Sequence, residues 1–62
     1  MLIQFVVTRM DDKVIGVVTD SKEFKNVPPK LPLVTTSKIA VSTYHIPYYG
    51  AIRFRELLIN QM

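Results

Sequence analysis

Apolar residues dominate two segments near the N-terminus, residues 2–9 and 13–19, and neither set of alternate positions in them is cleanly polar. Segments this rich in Ile, Val and Phe are typical of β-strands. Asp11 and Asp12 lie between the segments, where aspartate favours a tight turn because its side chain bonds nearby backbone. The pattern therefore predicts an N-terminal β-hairpin. Gly16 interrupts the second strand, and a glycine there often marks a bulge or the close approach of another backbone.

The hairpin is followed by a long connection, residues 20–37, which is first charged and then rich in proline. Proline fixes its own φ and restricts the residue before it, so we expect an extended path over the surface. Phe24 and Leu33 are the side chains expected to pin this connection to the core. Residues 29–32 form a PxxP sequence but lack the flanking basic residue that SH3 ligands carry, which favours a rigid connector.

Residues 38–46 predict a third strand, which residues 47–50 interrupt. The last segment, residues 51–62, fits either a helix or a strand. On a helix, one face would carry a broad apolar stripe, formed by Ala51, Phe54, Leu58 and Met62, with Leu57 beside them and Ile52 and Ile59 at its margins. The alternation in residues 52–55 would also suit a strand. Good helix formers at positions 56–58 favour the helix.

These elements predict one small α+β domain spanning residues 1–62, with a β-hairpin, a long proline-containing loop, a third strand and a C-terminal helix. The alternative is an all-β domain in which residues 51–58 form a fourth strand. A chain of 62 residues is near the lower limit for independent folding and usually needs extra stabilisation. With no cysteine and one histidine, neither disulfides nor a structural zinc site can supply it. We expect no metal and no cofactor.

Hydrophobic residues make up 48% of the chain, which argues against disorder. The longest unbroken apolar stretches fall far below the roughly 18 residues that a transmembrane helix needs. We therefore expect a protein without a membrane span, and the absence of cysteine fits a cytoplasmic location. The formal net charge is +3 and concentrates in residues 24–62, where five basic side chains stand against Glu56 alone. Such a basic half can attract a polyanion.

The residues that could support catalysis are few. Ser42 or Thr43 could act with His45, but on a strand Ser42 would point away from the face that Thr43 and His45 share. The adjacent carboxylates of Asp11 and Asp12 are better explained by the predicted turn. The two glycines belong to no phosphate-binding motif. The sequence therefore favours a protein that is not an enzyme.

Aromatic and basic side chains cluster near the C-terminus. Tyrosine and arginine are frequent anchors of protein interfaces, and the same types stack on bases and pair with phosphates. A structural interpretation is that Tyr44 and Phe54 are core residues. The cluster consists of Tyr44, His45, Tyr48, Tyr49, Arg53, Phe54 and Arg55. The candidate partner-binding residues are Tyr48, Tyr49, Arg53 and Arg55.

Both faces of the first two strands are apolar, so both need cover, and one short helix can cover only one. A second copy of the chain would cover the other, which predicts a homo-oligomer. The function that follows is a small, non-enzymatic protein that binds another protein. The alternative is a small basic protein that binds single-stranded DNA or RNA through the C-terminal cluster. No small-molecule substrate is expected.

Overall fold

A computed structural model describes residues 1–30 and 38–62. The strands form a three-stranded antiparallel sheet of order β2-β1-β3, and the helix packs across one of its faces. The elements are β1 (Leu2–Met10), β2 (Lys13–Thr19), β3 (Ile39–Pro47) and α1 (Tyr48–Asn60). The predicted small α+β domain with a C-terminal helix is confirmed. The all-β alternative is wrong, because residues 51–58 are helical.

The turn of the hairpin consists of two residues, Asp11 and Asp12, with φ values of 50° and 67°. Two central residues with positive φ define the type I′ turn, whose twist matches that of the flanking strands. Asp11 also joins the turn to the start of β3: its amide donates to the carbonyl of Lys38 at 3.0 Å. Its carboxylate accepts the Lys38 amide at 3.0 Å. The predicted turn is confirmed. It connects β1 to β2 and, through the hydrogen bonds of Asp11, also holds the start of β3.

One face of the sheet is covered by α1, and the other, which we call the open face, is exposed along β3 and at the start of β1. On the covered face, the β1 residues Ile3, Phe5 and Val7 are almost fully buried beneath α1. The buried apolar core is completed by Val14, Val17, Ala51 and Leu58. On the open face, Leu2 is 58% exposed and Val41 is 63% exposed. One helix therefore covers one face only, as the sequence suggested.

The outer edge of β2 is occupied by the segment that follows it. Val17 and Val27 exchange two backbone hydrogen bonds of 2.8 Å each. The Thr19 amide donates to the side-chain oxygen of Asn26 at 2.9 Å. A Cβ on Gly16 would lie 2.7 to 2.8 Å from three atoms of Pro29. The predicted close approach at Gly16 is confirmed, and the β1–β2 register also shifts beside it.

The helix begins earlier than the sequence suggested. Pro47 and Gly50 predict an interruption over residues 47–50, whereas α1 begins at Tyr48. Pro47 stands outside the first turn with φ −55° and ψ 143°, so its missing N–H removes no helical hydrogen bond. The Tyr48 amide instead donates to the carbonyl of Met1 at 3.1 Å. The strand thus passes directly into the helix.

Phe24 is half-buried and packs on the core, as predicted. Leu33, the second residue expected to pin the long connection, lies outside the described residues. So do residues 31–32 of the PxxP sequence. Residues 24–30 run from the covered face, where Phe24 lies beside Phe5, past the edge of β2 to Gly16 on the other face. This part of the chain therefore wraps the β2 edge.

Candidate protein-interaction surface

Four aromatic rings form a row through the core. The ring of Phe5 lies 6.0 Å from that of Phe24 and 5.2 Å from that of Phe54. The Phe54 ring lies 5.2 Å from Tyr44, edge to face. Edge-to-face pairs at such distances contribute about 0.5–1.5 kcal/mol beyond the burial of their area. Tyr44 and Phe54 are therefore core residues, as the structural interpretation of the cluster proposed.

An arginine closes each end of this row. The guanidinium of Arg55 lies 5.9 Å from the ring centre of Phe24, and that of Arg9 lies 5.7 Å from Tyr44. Arg55 also donates from Nη2 to the carbonyl of Lys25. Its planar, multi-donor head suits this double contact. Arg55, one of the four predicted contact residues, thus holds the segment around Phe24 against α1.

Tyr48 contacts the same segment at Glu23, the residue before Phe24. Its hydroxyl donates to the carboxylate of Glu23 at 2.7 Å. The pKa of Tyr48 is raised above 10.0, chiefly because this hydrogen bond holds the phenol proton, and further because the negative Glu23 opposes a phenolate. The raised pKa means that the contact stabilises the fold fully below pH 10.0 and is lost as the pH rises through the folded-state pKa.

Replacing Glu23 with glutamine should lower the Tyr48 pKa towards its ordinary value, because the charge that opposes the phenolate is removed. A pH titration followed by carbon NMR at the Tyr48 ring measures this shift. Glu56→Gln, which removes an exposed carboxylate elsewhere, serves as the control and should leave the midpoint unchanged. Equal Tyr48 midpoints in the wild type and Glu23→Gln would contradict the contact.

Tyr49 and Arg53 lie elsewhere, on the outer face of α1. Tyr49 is 92% exposed, and Arg53 follows it one turn later, also exposed. Ile52 follows Tyr49 by three residues and is 56% exposed, and Leu57 follows Arg53 by four residues and is 54% exposed. At these spacings each lies next to its partner on the helix surface. With exposed Glu56 they form what we call the α1 outer face: Tyr49, Ile52, Arg53, Glu56 and Leu57.

The structure therefore divides the four predicted contact residues into two pairs. Tyr49 and Arg53 are exposed on the outer face of α1, while Tyr48 and Arg55 bind the segment around Phe24. Sequence reasoning placed the residues near one another but missed their partners Glu23 and Lys25, which lie 25 and 30 residues away along the chain. The broad apolar stripe also predicted burial for Ile52, Leu57 and Met62, all of which are exposed.

The sheet separates Ser42 from His45, two of the residues considered for catalysis. Ser42 lies opposite Val7 on the covered face, whereas Thr43 and His45 project from the open face. Ser42 and His45 therefore cannot form a hydroxyl–imidazole pair. Within residues 1–30 and 38–62, no three His, Asp or Glu side chains gather as a metal site would require. A depression of about 200 Å³ beside Arg55 and Ile59 is smaller than the pockets of about 300–1,000 Å³ that usually hold ligands.

Neither α1 nor any other helix in the described part of the chain has the length and apolar character needed to cross a membrane. Comparison with known proteins finds no matching family model, no matching curated protein and no matching solved structure. The function is therefore argued from the chain's own surfaces.

Proposed function

We propose that this chain is a small cytoplasmic interaction protein and not an enzyme. It self-associates, and it binds another protein through the α1 outer face. The observation that carries the proposal is the exposure of Tyr49, Ile52 and Leu57 on adjacent turns around Arg53. Isolated exposed apolar residues are common, but a contiguous set on one helix is typical of an interaction surface. Tyrosine and arginine are also the residue types most often found at energetic hot spots.

The expected partner presents an apolar groove with a carboxylate at its rim. A helix that binds in a groove uses side chains at spacings of three and four residues, and Tyr49, Arg53 and Leu57 follow this spacing. Tyr49 would supply the buried anchor, since its side chain is 92% exposed in the single chain. Arg53 would pair with the carboxylate and orient the complex.

A photo-crosslinking residue at position 49 should capture this partner from an extract of the source cells. The matched control carries the same residue at position 13, which is exposed at the start of β2. With the captured protein purified, Tyr49→Ala should weaken binding at least tenfold, because a buried anchor contributes about 2 kcal/mol or more. Arg53→Ala should cost less, and calorimetry measures both. Capture of the same proteins from both positions, or unchanged affinity in Tyr49→Ala, would refute the proposal.

Single-stranded nucleic acid is the second candidate partner, favoured by the net charge of +3 and by the exposed Tyr49 beside Arg53. An aromatic ring stacks on bases while arginine pairs with phosphate. Fluorescence anisotropy with a labelled oligonucleotide at two salt concentrations tests this candidate. If the affinity falls as salt rises, and if this salt dependence is weaker in Arg53→Ala, nucleic acid would replace protein as the leading candidate partner.

A further inference from the structure

The outer edge of β3 differs from the outer edge of β2. Asn26 and Val27 satisfy the outward backbone groups of β2 at Thr19 and Val17. β3 pairs with β1 on its inner side, and no other stretch of the described chain pairs with its outer side. Among residues 1–30 and 38–62, the β2 edge is therefore covered at Val17 and Thr19, whereas the β3 edge has no paired strand.

The hydrogen bonds at the two ends of β3 show which backbone groups point outward. Lys38 accepts from Asp11, and Tyr48 donates to Met1, so these even positions bond towards β1. Bonded and non-bonded pairs alternate in an antiparallel ladder. The N–H and C=O groups of the odd positions therefore point outward, and these positions are Ile39, Val41, Thr43 and His45.

Up to its last residue, Pro47, this edge lacks the features that usually prevent pairing. Natural edge strands are protected by charged side chains, prolines or bulges. Residues 39–46 contain no lysine, arginine, aspartate, glutamate, proline or glycine. The register shift of the sheet lies in the β1–β2 pair, whereas β1 and β3 pair without interruption. A regularly paired, uncharged strand with four outward donors is suited to binding another strand.

We propose that β3 pairs antiparallel with β3 of a second copy, centred on Ser42, so that two sheets join into one of six strands. The proposal rests on the self-association in the proposed function and names the surface responsible. With Ser42 opposite itself, Val41 faces Thr43 and Ile39 faces His45. All four outward donors and all four outward acceptors of each copy then find a partner. A shift that places Ile39 opposite Pro47 would lose a donor, because proline has no N–H.

The charges of the chain are compatible with this pairing. Lys38 would face Ile46 of the second copy, eight residues from the other Lys38. At about 3.4 Å per residue, the two ammonium groups would lie about 27 Å apart along the strands, well beyond the Debye length of about 8 Å at physiological salt. Val41, 63% exposed in one chain, would gain neighbours on the open face. Lys38, the charged residue that flanks β3, therefore opposes no like charge in this pairing.

Light scattering with Thr43→Pro tests the pairing. The wild type should have twice the chain mass of 7.1 kDa at micromolar concentration. Proline at position 43 removes one outward donor and leaves the bonds to β1 intact, so this variant should be monomeric with an unchanged circular dichroism spectrum. Thr43→Ala, which keeps the N–H, should remain a dimer.

Single cysteines test the register, and they remain informative if the proline variant does not fold. The chain has no cysteine of its own. Ser42→Cys would place two Cα atoms about 4.5 Å apart across a non-hydrogen-bonded pair, within disulfide reach. Ala40→Cys on the same face would place them about 14 Å apart. Under mild oxidation Ser42→Cys should form a disulfide-linked dimer, and Ala40→Cys should not.

The outcomes distinguish pairing between two β3 edges from self-association through any other surface. A wild-type monomer would overturn both. A wild-type dimer that persists in Thr43→Pro, or that crosslinks equally at positions 40 and 42, would overturn the β3 pairing and leave self-association through another surface. Binding of a partner protein at the α1 outer face is independent of each result.

Discussion

Replacing Phe5 with alanine should lower the free energy of unfolding by about 3–5 kcal/mol, the usual effect of truncating a buried phenylalanine. Phe5 is fully buried and lies at the centre of the aromatic row, between Phe24 and Phe54. Domains are stable by about 0.05–0.15 kcal/mol per residue, which is about 3–9 kcal/mol for a chain of 62 residues. The substitution should therefore remove between about a third and all of the stability.

Urea unfolding followed by circular dichroism measures this loss. Because Phe5→Ala can leave too little folded protein to measure, Phe5→Leu serves as the milder variant and should lie between it and the wild type. Tyr49→Ala removes a ring that is 92% exposed and should change the stability by less than about 0.5 kcal/mol. All proteins are compared at one chain concentration, since self-association makes apparent stability concentration-dependent. Equal effects at positions 5 and 49 would contradict the assigned core.

The hairpin and the helix could be predicted because their signals are local. Seven or nine consecutive residues rich in Val, Ile and Phe indicate a strand. Asp11 and Asp12 tolerate the positive φ that a two-residue turn requires. The start of α1 was harder to predict because Pro47 and Gly50 both resemble helix breakers. Pro47 stands just outside the helix, and Gly50 lies in the first turn, where an added Cβ would lie at an ordinary 3.8 Å from Ile46 Cγ2. A residue type alone does not show on which side of a boundary it falls.

The contacts of the candidate site could not be predicted, because they join positions far apart in sequence. Nothing near Tyr48 or Arg55 in the chain indicates that residues 23–25 lie against them. The sequence identified the residue types suited to binding, but only the fold shows which of them are already engaged within the domain. Tyr49 and Arg53 remain as the outward pair.

Gly16→Ala should destabilise the protein, and Gly50→Ala should not, although the two substitutions add the same methyl group. At position 16 the methyl would lie 2.7 to 2.8 Å from the N, Cα and Cβ atoms of Pro29. Two of those atoms are backbone, so the segment around Pro29 must move rather than a flexible side chain. Overpacking of this kind costs about 1–3 kcal/mol.

The movement has a second consequence at the β2 edge. Val17 and Val27 exchange their two backbone bonds directly beside the displaced proline. Their amides should therefore exchange hydrogen faster in Gly16→Ala than in the wild type, while the amides of β1 that bond to β3 keep their protection. Native-state hydrogen exchange measured by NMR distinguishes this local opening from a general loss of stability.

Gly50→Ala is the matched control, because its methyl would find only the Cγ2 atom of Ile46, at an ordinary 3.8 Å. Alanine inside a helix is more stable than glycine by about 0.5–1 kcal/mol, and position 50, in the first turn of α1, should gain the lower part of that range. The two variants should thus shift the urea midpoint in opposite directions. If Gly16→Ala were as stable as the wild type, the close packing of Pro29 against Gly16 would be contradicted.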